Sequence, residues 1–383
     1  MRDWNIRIRT YDIAVISAGV FGAWIAYRFA QTGRSVALLD AYGAANSRSS
    51  SGAESRIWRA GYGAHHLYTR MARESLEWWR RLDGGAHVFL HSGVLWLSRP
   101  GNALAPASRE ALRAVGATFE ELDAGGVRRR FPQMCVPDDV QAILEVDGGV
   151  LLAQRAVLAV VEAARALGVD FRHETARACV AGAVKTESGS EISAGSYVYA
   201  CGSWLPKLFP DIAGPLITAT RQPLFFFRVP GESSFEAAAM PAWIDETDSR
   251  MPYGIPNIGG GAVKMGFHRL GQPFDPDAAD RSVMPGEIDE AREYLAMRFP
   301  ALGGAELTSS RICPYENTQS GDFLIDRHPE ATNVWLAGGG SGHGFKHGPA
   351  VADYVVKRFD GLIAEEPRFA LRNHSARVAR AVL

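Results

Sequence analysis

The run Ser17-Ala18-Gly19-Val20-Phe21-Gly22 is the first place in the chain where residue types and spacing could do chemistry. It follows a short apolar stretch, YDIAVIS over residues 11–17, and leads into FGAWIAYRFAQTG, whose apolar spacing predicts a helix closed by Gly33. A strand that delivers a glycine to a helix N-terminus presents free backbone N–H groups and the positive end of the helix dipole. Such a turn can hold a pyrophosphate. Gly19 would let the backbone approach the anion, and Gly22 would let helix and strand pack closely. Ser17 stands where the full G-x-G-x-x-G pattern has its first glycine. The second strand expected, SVALLD over residues 35–40, ends on Asp40, an acid placed to accept hydrogen bonds from an adenosine ribose. These parts point to a dinucleotide and do not separate FAD from NAD.

Three further segments are more specific. They read SSSGAESRIWRAGYG (49–63), YGIPNIGGGAVKMGFHRLGQPFDPD (253–277) and CPYENTQSGDFLIDRHPEATNVWLAGGGSGHGFKHG (313–348). With the N-terminal unit they resemble the monomeric sarcosine oxidase and N-methyltryptophan oxidase family of D-amino-acid-oxidase-like flavoenzymes. The resemblance implies FAD as cofactor, joined to Cys313 through a thioether, for which a thiolate is the appropriate nucleophile. It implies that Lys264 promotes oxygen reduction, since a fixed cation stabilises the negative charge that builds on O2. Val263 and Met265 flank Lys264, so alternation along a strand turns the lysine to the opposite face. Arg59 and Lys346 match the pair that holds a substrate carboxylate, one as a planar fork and one as a point charge. His268 and Tyr253 match residues on the substrate side, and Tyr315 is expected there as well. Arg56 matches an arginine lying against the flavin.

Glycines 339, 340, 342 and 344 are expected to bring backbone N–H groups close to the flavin ring. On the same resemblance, the FAD contacts are Ser17, Gly19, Val20, Phe21, Gly22, Asp40, Ser51, Arg56, Ile57, Gly202, Trp204, Cys313, Gly340, Gly342, Gly344, Phe345 and Lys346. Two departures stand out. The family's Ser-His-His-Gly is here Ser49-Ser50-Ser51-Gly52 with altered spacing to Arg56, so the histidines are missing. Ser17 is the other. Taken alone, a lysine is usually a surface residue and a free cysteine usually a buried, inert one; position within the motif is what singles out Lys264 and Cys313.

The elements that must position these residues follow from periodicity. Helices are expected over 68–82, 152–167, 285–298 and 348–359, and strands over 87–97, 196–201, within 216–268, and over 334–337. The Pro- and Gly-containing stretch after Arg99 reads as a loop, and Trp78-Trp79 as core aromatics. The expected fold class is α/β: a Rossmann-like FAD-binding domain made of 10–88, 142–215 and 313–383, interleaved with a mainly antiparallel β-sheet substrate domain made of 89–141 and 216–312. The first ten residues read as a short extension rather than a signal peptide.

Composition narrows the classes. The 383 residues, 47% of them hydrophobic, can bury a large core. Lys plus Arg number 41 against 42 Asp plus Glu, so no net field favours nucleic acid, and Arg128-Arg129-Arg130 reads as a solvated face. No apolar run reaches membrane-spanning length. The cysteines at 135, 179, 201 and 313 form neither a CxxC pair nor a disulfide framework, which argues against structural zinc and for a reducing cytoplasm. Cys135, Cys179 and Cys201 read as structural.

The resemblance therefore implies an FAD-dependent oxidase and a monomer with no membrane or nucleic-acid partner. Its substrates would be O2 and a small secondary amine bearing a carboxylate, oxidised to an imine that water hydrolyses, with release of H2O2. The alternatives are a flavin dehydrogenase using another acceptor, a tailoring oxidase of a cyclic imino acid, and a non-catalytic flavin-binding protein.

Overall fold

The computed structural model describes residues 10–82, 87–102, 104–179, 182–231, 233–278 and 280–374. The N-terminal extension over residues 1–9 lies outside them. Two compact units emerge: the described residues within 10–53, 153–219 and 315–374 form the first, and those within 54–152 and 220–314 the second. These divisions differ from those expected at 88/89 and 141/142. The reason is local pairing: Arg56–Trp58 and Phe89–Leu90 both pair with Gly149–Leu151, which ties the segments after 53 and before 153 into one small sheet of the second unit.

In the first unit the strands Thr10–Ile16, Val36–Asp40, Asp170–His173, Glu191–Tyr199 and Ala331–Gly338 are parallel neighbours. Numbered by their order in the chain, they lie 3-2-1-4-5 across the sheet. Leu324–His328 adds an antiparallel edge. Four consecutive residues, Ile13 to Ile16, are buried, as a parallel strand covered on both faces requires. The helices Val20–Gln31, Ala153–Ala166 and Gly348–Phe359 belong to this unit. Strand order reverses beside Thr10–Ile16, between its neighbours Val36–Asp40 and Glu191–Tyr199, and such a switch point opens a crevice at the carboxyl ends of the strands. Ser17 to Gly19 and Ala200 to Gly202 follow those ends directly.

The second unit is built on an eight-stranded sheet with the order Leu307–Thr318, Ile217–Arg228, Ala262–Phe267, Pro252–Ile255, Ala242–Asp245, Val94–Ser98, Gln141–Glu145, Phe119–Asp123. The two long outer strands belong to this unit over 307–314 and 220–228. Among the described pairings, only Ala242–Asp245 with Val94–Ser98 is parallel. One face packs Leu95, Leu97, Trp243, Val263 and Met265 with Ala291, Tyr294 and Leu295 of the Pro285–Arg298 helix. The other carries Val94, Ala242, Ile244 and Ile255, with Trp96 and Tyr253 partly buried among them. The chain is thus α/β, a Rossmann-like unit interleaved with a mainly antiparallel one.

After Arg99 the structure has a helix, Leu104–Ala114, where a loop was expected. Pro106 is its third residue, and proline is tolerated in a first turn because the N–H it lacks has no helical partner there. Trp79 is buried as core, while Trp78 is only half-buried. Among the described residues no helix is long and apolar enough to cross a membrane, and no cluster of His, Cys, Asp or Glu could hold a metal ion.

Candidate active site

The nucleotide turn in the first unit starts with a strained residue. Ser17 has φ 86°, the left-handed region where a glycine costs least, and a non-glycine there costs about 1–2 kcal/mol. Its hydroxyl offsets some of that by donating to Asp40 Oδ2 at 3.4 Å. At Gly22 a Cβ would sit 1.8 Å from the Ser17 carbonyl oxygen, so helix and strand meet through that glycine. Gly19 is different. A Cβ there would find only ordinary contacts at 3.6 and 3.7 Å, so nothing in the protein itself demands glycine. Gly19 caps the Val20–Gln31 helix without a side-chain cap, and no acid lies in its first turn. Val20 N donates to Ser51 Oγ at 3.0 Å, which draws the Ser49-Ser50-Ser51 segment to the same turn.

Asp40 already serves the protein: Oδ2 accepts from Ala18 N at 2.7 Å and Oδ1 from Tyr42 N at 2.9 Å. Burial nevertheless raises its pKa, against the lowering effect of those bonds. A carboxylate has about four lone-pair sites, so a ribose contact is compatible with this arrangement. Uncapped N–H groups, a first turn without an acid, and an acid at the end of the second strand form a donor and acceptor set that suits a dinucleotide such as FAD.

The C-terminal glycine turn belongs to this unit too. A Cβ on Gly344 would lie 2.9 Å from Gly340 Cα and 3.1 Å from the Phe21 ring, so the turn closes on itself against the first turn of the Val20–Gln31 helix. Residues more than 300 positions apart thereby share one place. Phe345 and Lys346 are buried in the short turn Phe345–His347, and Lys346 Nζ donates to His343 O at 3.2 Å. Trp204, following Gly202, lies against Tyr42 with ring centroids 5.8 Å apart. Tyr315 is half-buried.

Sequence reasoning missed Glu316. Its Oε1 accepts from Gly340 N at 3.2 Å, whereas its buried Oε2 has no hydrogen-bond partner among the described residues. A Cβ on Gly340 would meet the carboxyl at 2.9 Å and one on Gly202 at 3.2 Å, so the acid occupies space that two glycines leave. Among the described residues no cation offsets the burial, which pushes its pKa from 4.5 up to about 7. The folded state therefore holds this proton more tightly than the unfolded chain does. The resulting stability is fully present below pH 4.5 and is lost as pH rises through about 7. At about 1.4 kcal/mol per pH unit, the loss is roughly 3 kcal/mol. Glu316→Gln should accordingly match the wild type in urea titrations at pH 5 and exceed it by up to that amount at pH 8.5. Equal stabilities at pH 8.5 would contradict the buried-acid account. An isolated Glu in a strand gives no sequence sign of burial.

In the second unit, three segments singled out separately in the sequence come together. Lys264 is buried, and its Nζ donates to Ser55 O at 2.7 Å. The next residue, Arg56, donates from Nη2 to Cys313 Sγ at 3.5 Å. Glu54 and Arg311 form an ion pair beside them. Lys264 pairs in register with Phe226 and Ile255, on the face opposite the core that takes Val263 and Met265. Burial, and then Arg56, hold the Lys264 pKa well below 10.5. Cys313 is buried, and Ile57 is half-buried between Arg56 and Trp58. Of the cysteines read as structural, Cys201 is buried and Cys179 half-buried, but Cys135 is exposed and fills no core.

Arg59 is buried, with its guanidinium carbon over two rings, 4.2 Å from the Tyr62 centroid and 4.5 Å from that of Trp96. Its Nη1 donates to Gly61 O. Trp96 is the register neighbour of Ile244, which pairs with Tyr253, so Trp96 and Tyr253 lie on one sheet face. His268 closes the Ala262–Phe267 strand and donates its backbone N–H to Met251 O at 2.8 Å.

Comparisons with known proteins identify the family and the fold. The family model described as DAO, FAD dependent oxidoreductase, matches residues 12–358. The monomeric sarcosine oxidase of Bacillus sp. (strain NS-129) is 32% identical over 363 residues, spanning 91% of this chain and 92% of that protein. The N-methyl-L-tryptophan oxidase of Yersinia pestis (strain Pestoides F) is 26% identical over 358 residues, spanning 90% and 94%. Among solved structures, the L-proline dehydrogenase from P. horikoshii has the same fold, with a TM-score of 0.83 at 19% identity over 94% of this chain and 96% of that one.

Proposed function

This chain belongs to the DAO family of FAD dependent oxidoreductases, and from that premise we propose that it is an oxidase of a secondary amine bearing a carboxylate. The substrate would be an N-alkyl or imino acid, oxidised to an imine with release of H2O2. The observation that carries the reading is the meeting of Ser55, Arg56, Lys264 and Cys313 within the second unit. Bound FAD supplies the two-electron acceptor, which no side chain can provide. The protein's part is binding, orientation and electrostatics.

In this reading, Cys313 is the point of covalent attachment, with Arg56 against its sulfur. Lys264, buried and tethered to Ser55 O, offers a cation where charge builds on O2. Arg59 holds the substrate carboxylate, and Lys346 contributes a second positive charge toward it. Tyr253, His268 and Tyr315 line the substrate side. Ser17, Gly19, Val20, Phe21, Gly22, Asp40, Ser51, Ile57, Gly202, Trp204, Gly340, Gly342, Gly344 and Phe345 serve the cofactor. A monomer in a reducing cytoplasm belongs to the same proposal, supported by four cysteines that form no disulfide with one another and by a relative named as monomeric.

Two measurements test it. Purified protein is denatured and precipitated with acid, and yellow colour is expected to stay with the wild-type chain and to leave it in Cys313→Ala. A peroxide-coupled screen of sarcosine, iminodiacetate, N-methyl amino acids, proline and pipecolate under air should then give one H2O2 per turnover. Turnover with an artificial acceptor but without peroxide would make the protein a dehydrogenase instead.

A further inference from the structure

Glu145 is buried to 2% exposure at the end of the Gln141–Glu145 strand, an expensive place for a carboxylate unless every oxygen is used. Both oxygens are. Oε2 accepts from Ala60 N at 2.7 Å, and Oε1 accepts from Gly61 N at 3.1 Å and from Trp96 Nε1 at 3.2 Å. These three donors have one thing in common: they surround Arg59. Ala60 and Gly61 are the backbone that follows it, and Trp96 is one of the two rings over which its guanidinium lies. The contact is close enough that a Cβ on Gly61 would lie 2.7 Å from Glu145 Oε1. Glu246, a half-buried acid within electrostatic reach of Arg59, is held differently, accepting from Asn102 Nδ2 at 2.6 Å.

We propose that Glu145 is the positioning residue of the anion-binding arginine, fixing Arg59 against Tyr62 and Trp96 so that it favours a planar carboxylate over a tetrahedral oxyanion. The inference rests on the reading that Arg59 holds the substrate's carboxylate. Two rings lie over the guanidinium carbon, at 4.2 Å and 4.5 Å to their centroids, and restrict the directions from which a ligand can reach it. Two coplanar carboxylate oxygens fit a guanidinium edge. The third oxygen of a sulfonate or phosphonate lies out of that plane and finds no donor in the guanidinium edge. Glu145 makes the selection rigid, because it holds the Trp96 ring and the Arg59 backbone to a single carboxylate.

The test uses the holoenzyme and calorimetric titration with acetate and with methanesulfonate. Wild type is expected to bind acetate at least about tenfold more tightly than methanesulfonate, as the loss of one good directed contact would give. Glu145→Gln should weaken acetate roughly tenfold, as losing the support of a binding residue commonly does, and narrow the preference. With the amine substrate it should raise KM more than it lowers kcat. Trp96→Phe keeps a ring but loses the indole bond, and should move both readouts the same way by a smaller factor; it decides the matter if Glu145→Gln does not fold. Folded variants with wild-type acetate affinity and preference, while Arg59→Lys loses affinity, would overturn the positioning role. Arg59→Lys with wild-type affinity would instead remove the premise that Arg59 is the carboxylate ligand.

Discussion

Replacing Lys264 with Met is expected to slow reoxidation of the reduced enzyme by O2 roughly 10²–10³-fold, the usual cost of deleting one fixed charge-stabilising group. Reduction by the amine substrate should change far less. The asymmetry follows from where charge develops: electron transfer to O2 creates an anion, and the Lys264 amine, a cation when protonated, is held in place by Ser55 O at 2.7 Å. Methionine keeps the length and apolar stem of the side chain, so Val263 and Met265 can stay packed on the other face.

The pH dependence has a definite sign. Burial lowers the Lys264 pKa well below 10.5, helped by Arg56 and Arg311, while Glu54 and Cys313 oppose the shift. The cation is present below that lowered value and lost above it. Oxygen reactivity should therefore fall with rising pH along a limb centred below 10.5, and Lys264→Met should lack that limb. Stopped-flow mixing of reduced enzyme with oxygenated buffer across pH gives both readings. A variant that reoxidises at the wild-type rate would sink the role assigned to Lys264.

Asp245→Ala is expected to be the most damaging change to stability away from the site, by roughly 3–5 kcal/mol, the cost of leaving a buried charge without its partner. Asp245 and Arg298 are 0% and 2% exposed as side chains, with Arg298 Nη2 2.8 Å from Asp245 Oδ2. Tyr294 donates its hydroxyl to the same oxygen at 3.1 Å and accepts from Trp243 Nε1 at 3.2 Å. Thr247 donates to Asp245 Oδ1 from its N and its Oγ1, and Arg298 Nη1 reaches the Cys135 carbonyl at 2.6 Å. One carboxylate thus joins the end of the Ala242–Asp245 strand to the Pro285–Arg298 helix that packs on the sheet.

Removing only the acid strands a guanidinium in an apolar core. Removing both charges, in Asp245→Leu with Arg298→Met, should cost less than either single change, since the stranded charge is then gone. Urea unfolding of the two single variants and the double variant tests this. Additive losses would mean that the pair is not coupled.

Periodicity determined much of this protein from the sequence alone. The turn at Ser17–Gly22 and the helices Pro285–Arg298 and Gly348–Phe359 were legible because helix and strand periods are local properties, set by neighbours within a few residues. The helix at Leu104–Ala114 was not, because Pro106 reads as a breaker until its position in the first turn is known. Resemblance singled out Lys264, Arg56 and Cys313 one at a time. Only the tertiary structure put Ser55 O on the lysine and Arg56 on the sulfur, since side-chain contacts across 209 and 257 positions leave no local trace. The same holds for the buried acids. Glu145, Asp245 and Glu316 look like surface residues in the sequence, because a charged side chain is placed in a core by its partners, and those partners are far away along the chain.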